Sequence, residues 1–169
     1  MLNAQCSMLN ANMTEIVSIE HLQHKIEFLR SKTSDLKIVA TNGCFDILHI
    51  GHIRSLQKAK SLGDILVVGL NSDASVKKLK GKDRPINNEK DRAEILAALS
   101  CIDYVSVFNE DTAEKFLEVV KPNIYVKGGE YNVDILPEAK VVKKYGGEIF
   151  LVPMIPDSST TSIIEKLSS

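Results

Sequence analysis

Two histidines three residues apart, His49 and His52, close the segment TNGCFDILHIGH, which runs from Thr41 to His52. Three residues is close to one helical turn, and Ile53, Leu56 and Ala59 go on recurring at helical spacing. The pair is therefore expected on one side of a helix's first turn. The N–H groups there lack internal partners and the helix dipole is positive, so the place is ready to hold phosphate, and two imidazoles add aimed donors. Gly51 between them lets a phosphate or the facing backbone come close. The same dipole disfavours an imidazolium until an anion arrives, so both rings are expected to be neutral alone and to gain a proton with the ligand.

Such a pair needs a strand and a turn to deliver it. Leu36 to Ala40 (LKIVA) is a short apolar run with the β-branched residues of a buried strand. Asn42 and Gly43 then suit a tight turn in which main-chain N–H groups approach a ligand, because Gly43 has no Cβ. The chain carries its own control in His21 and His24, which share the spacing. There Ile19, Leu22, Ile26 and Leu29 form the apolar stripe of a helix over residues 18–31, and the two histidines fall on its wet face.

The rest alternates strand and helix. The helix from His49 ends at Gly63, Asp64 to Leu70 is a second buried strand, and a second helix begins at Asn71 or Ser72. The run Lys77 to Arg84 (KKLKGKDR) is the densest basic stretch. On its own it reads as a solvated face, and it gains weight by following a strand's carboxyl end, where open α/β sheets bind ligands. A helix follows at Asn88 to Leu99, then strands at Tyr104 to Phe108, Asn123 to Val126 and Glu148 to Val152, with helices at Thr112 to Val120 and Glu138 to Tyr145. Lys127, Gly128 and Gly129 end the fourth strand. After a loop with two prolines, Ser158 or Ser159 can cap a last helix, leaving Ser159, Thr160 and Thr161 to offer hydroxyls at a second positive helix end. Apolar strands without alternation call for a parallel sheet covered on both faces, so the fold class is α/β with about five strands. Residues 1–35 are expected to form an N-terminal tail and helix, and residues 36–169 one domain.

A length of 169 residues allows one domain with a real core. A net charge of −1 gives no reason to expect nucleic acid or an anionic membrane as partner, so local clusters must bind any anion. Cys6, Cys44 and Cys101 are odd in number and scattered, which points to a reducing compartment, and the opening residues lack the pattern of a signal peptide. A cytoplasmic location is expected. Neither the dinucleotide fingerprint nor the P-loop pattern occurs, which leaves the histidine pair as phosphate holder. Zinc on Cys44, His49 and His52 lacks a fourth ligand, and Cys44 as nucleophile lacks a group to orient a base.

Taken together, GCFDILHIGH, GLNSD and the late SSTT resemble the nucleotidyltransferase superfamily with the His-x-Gly-His signature, which includes cytidylyltransferases for glycerol 3-phosphate and phosphoethanolamine. Two more blocks, LKGKDRPINNEKDRAEILAAL at 79–99 and VKGGEY at 126–131, are similar to the heptose 1-phosphate adenylyltransferases. The resemblance covers about Ile38 to Leu167. It implies a Rossmann-like doubly wound sheet of the His-x-Gly-His nucleotidyltransferase type. The implied reaction is ATP plus D-glycero-β-D-manno-heptose 1-phosphate giving ADP-heptose and pyrophosphate, with Mg²⁺, feeding lipopolysaccharide core or another surface glycan. In that family the transferase is often fused behind a sugar kinase. Only about 35 residues precede the first strand, so a stand-alone transferase is expected. A homodimer is also implied.

Carried over by position, His49, His52 and Arg92 would be catalytic. Thr41, Asn42, Gly43, Cys44, Phe45 and Asp46 would contact the nucleotide, together with Gly51, Lys127, Gly128, Gly129, Ser159 and Thr160. Asp46 would orient a turn or a histidine, or contact Mg²⁺. The acceptor would face some of Asn71, Asp73, Lys80, Lys82 and Arg84. Relatives acting on glycerol 3-phosphate carry an arginine five residues before the serine of the last motif, where this chain has Met154, which lowers the cytidylyltransferase reading. The alternatives are that activity on another small phosphorylated alcohol, or a nucleotide-binding module without turnover. The chemistry fits the residues, because a sugar phosphate is already a nucleophile and catalysis reduces to alignment and charge neutralisation.

Overall fold

The computed structural model describes residues 14–129, 133–153 and 159–168. The loose tail read in the opening residues, Glu130, Tyr131, Met154 and Ser158 lie outside them. Among the described residues six parallel strands form one sheet: β1 (Glu15–Ile16), β2 (Ile38–Gly43), β3 (Ile65–Asn71), β4 (Tyr104–Phe108), β5 (Ile124–Gly128) and β6 (Glu148–Val152). Their order is β1-β4-β3-β2-β5-β6, and every neighbouring pair runs parallel. The doubly wound α/β expectation is met. The five expected strands are present, and β1 adds a sixth whose two residues are too few to leave a periodicity.

The helices are α1 (Ile19–Lys32), α2 (Ile50–Lys60), α3 (Asp73–Lys80), α4 (Glu89–Ala97), α5 (Glu114–Val120), α6 (Pro137–Lys144) and α7 (Thr160–Ser168). On one face of the sheet, α1, α5 and α6 bury Leu22, Ile26, Phe116, Leu117, Val120, Val141 and Val142 against Ala40 and Tyr125. On the other, α2 and α4 bury Leu56, Ala59, Ala93 and Leu96 against Val39, Val68 and Val126. Residues 19–32 thus share one core with the sheet. His21 and His24 are exposed on the outer side of α1, as their place opposite the apolar stripe requires. Where β3 passes α5, a Cβ on Gly69 would lie 2.9 Å from Cε1 of the buried Phe116 ring, so this position takes only glycine without a shift.

The chain leaves β2 toward β3 and β4, then crosses back to place β5 on the other side of β2. Between β2 and β5 the winding reverses. In open parallel sheets a crevice opens at such a point, beyond the strands' carboxyl ends.

Candidate active site

At that switch point the ends of β2, β3 and β5 bring Asn42 and Gly43, Asn71, and Lys127 and Gly128 to the rim of a cleft of about 540 Å³. The volume suits a small-molecule ligand. β2 continues past Ala40 through Gly43, because Asn42 and Gly43 still pair with Gly69 and Leu70 of β3. The turn falls two residues later, where Phe45 takes a left-handed φ of 45°. That conformation costs a non-glycine residue about 1 kcal/mol or more, so the surroundings must hold it. Gly43 helps to hold it: a Cβ there would lie 3.0 Å from Cε2 of Phe45, so the missing side chain makes room for the aromatic ring.

His49 is the N-cap of α2, in extended conformation, and His52 is the third helical residue. Their rings stack with centroids 3.8 Å apart and planes 30° apart, and Phe45 backs His52 at 5.2 Å. Two cations stacked so closely would repel. Burial pushes His49 below the usual histidine value, and burial together with the neighbouring His49 lowers His52 to about 4. Both rings are therefore neutral near pH 7. The helix dipole was the expected cause; burial is the one that lowers both rings, with the neighbouring His49 adding to it at His52. Both Nδ1 atoms are buried with no hydrogen-bond partner among the described residues, so stacking and packing hold the rings.

Asp46 anchors the loop opposite the pair. Its carboxylate accepts from Arg84 Nε at 2.6 Å and from the amides of Ile86 and Asn87 at 2.8 to 3.0 Å, and its carbonyl accepts from Asn87 Nδ2 at 2.8 Å. Burial alone would raise this carboxyl, but the Asn87 and Ile86 amides and Arg84 outweigh it and hold it below the usual range. Of the roles expected for Asp46, orienting a turn is the one its contacts perform. With both oxygens already accepting, it is poorly placed to bind Mg²⁺.

Arg92 lies under the cleft. The side chain is fully buried and donates to the carbonyls of Asn87 (2.9 Å), Cys44 (2.5 Å) and Asn71 (2.8 Å) and to Asp73 Oδ1 (2.8 Å). Four of the five guanidinium N–H groups are thereby used. Arg92 is not among the residues that line the cleft. Its bonds tie the ends of β2 and β3 to the starts of α3 and α4, and Asp73, turned toward it, does not line the cleft either.

On the β5 side, Lys127 Nζ contacts Glu138 Oε1 at 3.1 Å, Tyr125 Oη at 3.2 Å and Asn42 Oδ1 at 3.4 Å. Across the cleft, Ser159 Oγ accepts from the Ser162 amide at 3.0 Å and so caps α7, while Thr160 Oγ1 donates to the carbonyl of Ile47 at 3.1 Å. The start of α7 is thus fastened beside the histidine loop.

The expected residues Thr41 to Asp46, His49, Gly51, His52, Asn71, Lys80, Arg84, Lys127, Gly128, Ser159 and Thr160 all line this cleft. Arg92, Asp73, Lys82 and Gly129 do not. Lys82 is exposed in the loop after α3, and the amide of Gly129 donates to the Val152 carbonyl of β6 at 2.9 Å. Cys44 lines the cleft as a thiol, raised above its usual value by burial despite Lys80, Arg92 and Arg84 nearby. Thr161, expected to offer a hydroxyl at the start of the last helix, lines the cleft too, whereas Ser55, Asp111 and Glu138 also line it and were missed. Ser55 stands one turn beyond His52, a spacing that could have named it, whereas nothing local marks Glu138.

Residues 40–166 match the family model described as cytidylyltransferase-like. Among curated proteins, the Bifunctional protein HldE of Geobacter metallireducens is 55% identical over 136 residues, covering 80% of this chain and 28% of the relative. That of Citrifermentans bemidjiense is 50% identical over 156 residues, 92% of this chain and 32% of the relative. The chain thus spans about a third or less of these relatives. A lipopolysaccharide core biosynthesis protein from Thermoplasma volcanium superposes with a TM-score of 0.58 at 30% identity, over 71% of this chain and 97% of that one. Pantoate-beta-alanine ligase from Francisella tularensis, at 17% identity, TM-score 0.62, and 92% and 74% coverage, shares the fold.

Proposed function

The chain belongs to the cytidylyltransferase-like family of nucleotidyltransferases, and on that premise we propose that it transfers the adenylyl group of ATP to D-glycero-β-D-manno-heptose 1-phosphate. A phosphate oxygen of the sugar phosphate attacks the α-phosphorus in line, the bond to the bridging oxygen of the β-phosphate breaks, and pyrophosphate leaves as ADP-heptose forms. The observation that carries the reading is the stacked, neutral His49–His52 pair at the start of α2, facing a cleft with many donors and, among the described residues, no activated nucleophile. Such a site can align two phosphates and take up developing charge, which is what this displacement asks of a protein.

In this reading His49 and His52 hold the ATP phosphates and gain a proton as charge builds. The acceptor's phosphate lies toward Lys80 and Arg84, since Arg84 is oriented by Asp46 and Lys80 makes no ion pair among the described residues. Mg²⁺ would travel with the triphosphate and lower its charge. Among the described residues no group of three or more His, Cys, Asp or Glu side chains could hold a metal, which fits a cation bound chiefly by nucleotide oxygens. The choice of heptose is supported by the blocks at 79–99 and 126–131 and by identities of 50% and 55% to proteins named HldE. Those relatives are bifunctional and matched over less than a third of their length, as expected if the remainder is the sugar kinase often fused to this family's transferases. The likeness to a lipopolysaccharide core biosynthesis protein supports a product destined for that glycan. No helix among the described residues is long and apolar enough to cross a membrane. A homodimer remains part of the proposal.

The test is pyrophosphate release with heptose 1-phosphate and, in turn, ATP, CTP, GTP and UTP. Release with ATP alone is expected. Preference for CTP would replace adenylyl by cytidylyl transfer. Nucleotide binding without pyrophosphate from any acceptor would make the chain a binding module.

A further inference from the structure

Glu138 is the least expected charge at this site. It sits in the first turn of α6, its side chain is only 6% exposed, and it still contributes to the wall of the cleft. Oε1 is paired with Lys127, while Oε2 accepts no hydrogen bond among the described residues. Oε2 is not one of the side-chain atoms sealed from solvent without a partner, so it opens to the cleft, where it can accept from whatever donor fills that space.

Its position sorts the cleft by chemistry. Tyr125 packs in the core on the α1, α5 and α6 side, and Lys127, two residues along β5, projects to the same side, where α6 supplies Glu138. The histidines ride on α2, which packs on the opposite face. One part of the cleft therefore offers imidazoles, Lys80 and Arg84, which suit phosphate. The other offers a carboxylate whose charge is partly met by Lys127. Phosphate oxygens are acceptors and would be repelled by Glu138, whereas a hydroxyl donates to it.

We propose that Glu138 is the specificity-determining residue that accepts hydrogen bonds from the hydroxyls of a sugar ring, with Lys127 holding the carboxylate in place. The inference rests on the proposed function insofar as the sugar is that of the acceptor, the ribose of ATP being the other source of the same chemistry. A site built to bond a hydroxyl rejects the analogue lacking it far more strongly than an apolar pocket can, because its buried group is then left unpaired. Glu138 thereby favours polyhydroxy acceptors over phosphorylated alcohols with few hydroxyls.

Calorimetric titration tests this without turnover. Wild type and Glu138→Gln are titrated with ATP, with 2′,3′-dideoxy-ATP, and with heptose 1-phosphate in the presence of a non-hydrolysable ATP analogue. The amide keeps the shape but accepts at one oxygen only. A loss of ten-fold or more on the heptose phosphate arm is expected, with both nucleotides within two-fold. A loss for ATP that dideoxy-ATP does not share moves the hydroxyls to the ribose and keeps the role of Glu138. Equal affinity on every arm, or an equal loss for ATP and its dideoxy analogue, overturns it. If heptose 1-phosphate fails to bind wild type, the proposed acceptor is wrong and the two nucleotide arms still decide the role of Glu138. Thermal melts check folding. Should Glu138→Gln not fold, Glu138→Asp retains the charge beside Lys127 while drawing the oxygens back by one methylene, and the same titrations apply.

Discussion

Replacing Arg92 separates a residue that holds the site from one that touches substrate. Arg92→Met fills similar space but removes four hydrogen bonds, leaving the carbonyls of Asn87, Cys44 and Asn71 and the Asp73 carboxylate each short of a partner. Breaking a buried charged network in this way costs about 3–5 kcal/mol, against a total stability of roughly 5–15 kcal/mol for a domain. For a chain of this size that is a fall in Tm of roughly 6–20 °C. Arg92→Lys keeps the charge but presents a compact ammonium with three donors, so it should recover only part of the loss. Urea unfolding measures the stability of the three proteins, and pyrophosphate release at saturating ATP measures kcat. The expected order of stability is wild type, then Arg92→Lys, then Arg92→Met, with activity falling because the floor shared by Cys44 and Asn71 shifts. If Arg92→Met unfolded within about 0.5 kcal/mol of wild type while losing turnover a hundred-fold, Arg92 would be contacting phosphate and the positioning role would be wrong.

Four further outcomes are expected. His52→Ala should lower kcat by at least a hundred-fold, the scale of a lost oxyanion-type donor, and near wild-type turnover in the pyrophosphate assay would refute its role. Keeping His52 neutral in the fold contributes stability that is whole above about pH 6.5 and is lost as the pH falls toward 4, because the unfolded chain takes the proton first. At 1.36 kcal/mol per pH unit the drop from 6.5 to about 4 converts to about 3 kcal/mol, and to roughly half that after screening of a partly exposed ring, so His52→Gln should flatten the acid limb of urea-measured stability. ATP binding should in turn take up protons, read as a buffer-dependent heat in calorimetry; heats independent of buffer would count against imidazolium formation. Gly69→Ala, forcing a methyl to within 2.9 Å of Phe116, should cost about 1–3 kcal/mol in a thermal melt.

The fold was largely legible because buried parallel strands are written as apolar runs and their helices start at recognisable caps: Ser72 and Asn88 accept from the amides of their own first turns. The two-residue β1 escaped, since its place beside β4 is set by pairing with Tyr104 and Val105 rather than by any local pattern. At the site, the residues brought by one segment, Thr41 to His52, could be read together because the chain itself joins them. Arg92 could not be placed correctly. Its spacing from Asn88 shows which helix carries it but not that its guanidinium turns down onto Cys44 and Asn71 instead of up into the cleft. Glu138 was missed for a similar reason, because its meaning depends on Lys127, eleven residues away and on another element.

The bond from Thr160 to Ile47 joins positions 113 residues apart, so one wall of the cleft exists only once the last helix has docked on a finished sheet. Nucleotide contacts spread over both walls would then be available to the complete native state and to no half-assembled form. ATP would act as a folding ligand for the whole molecule: at a hundred times its Kd it adds about 2.7 kcal/mol to the global transition rather than firming up one local patch.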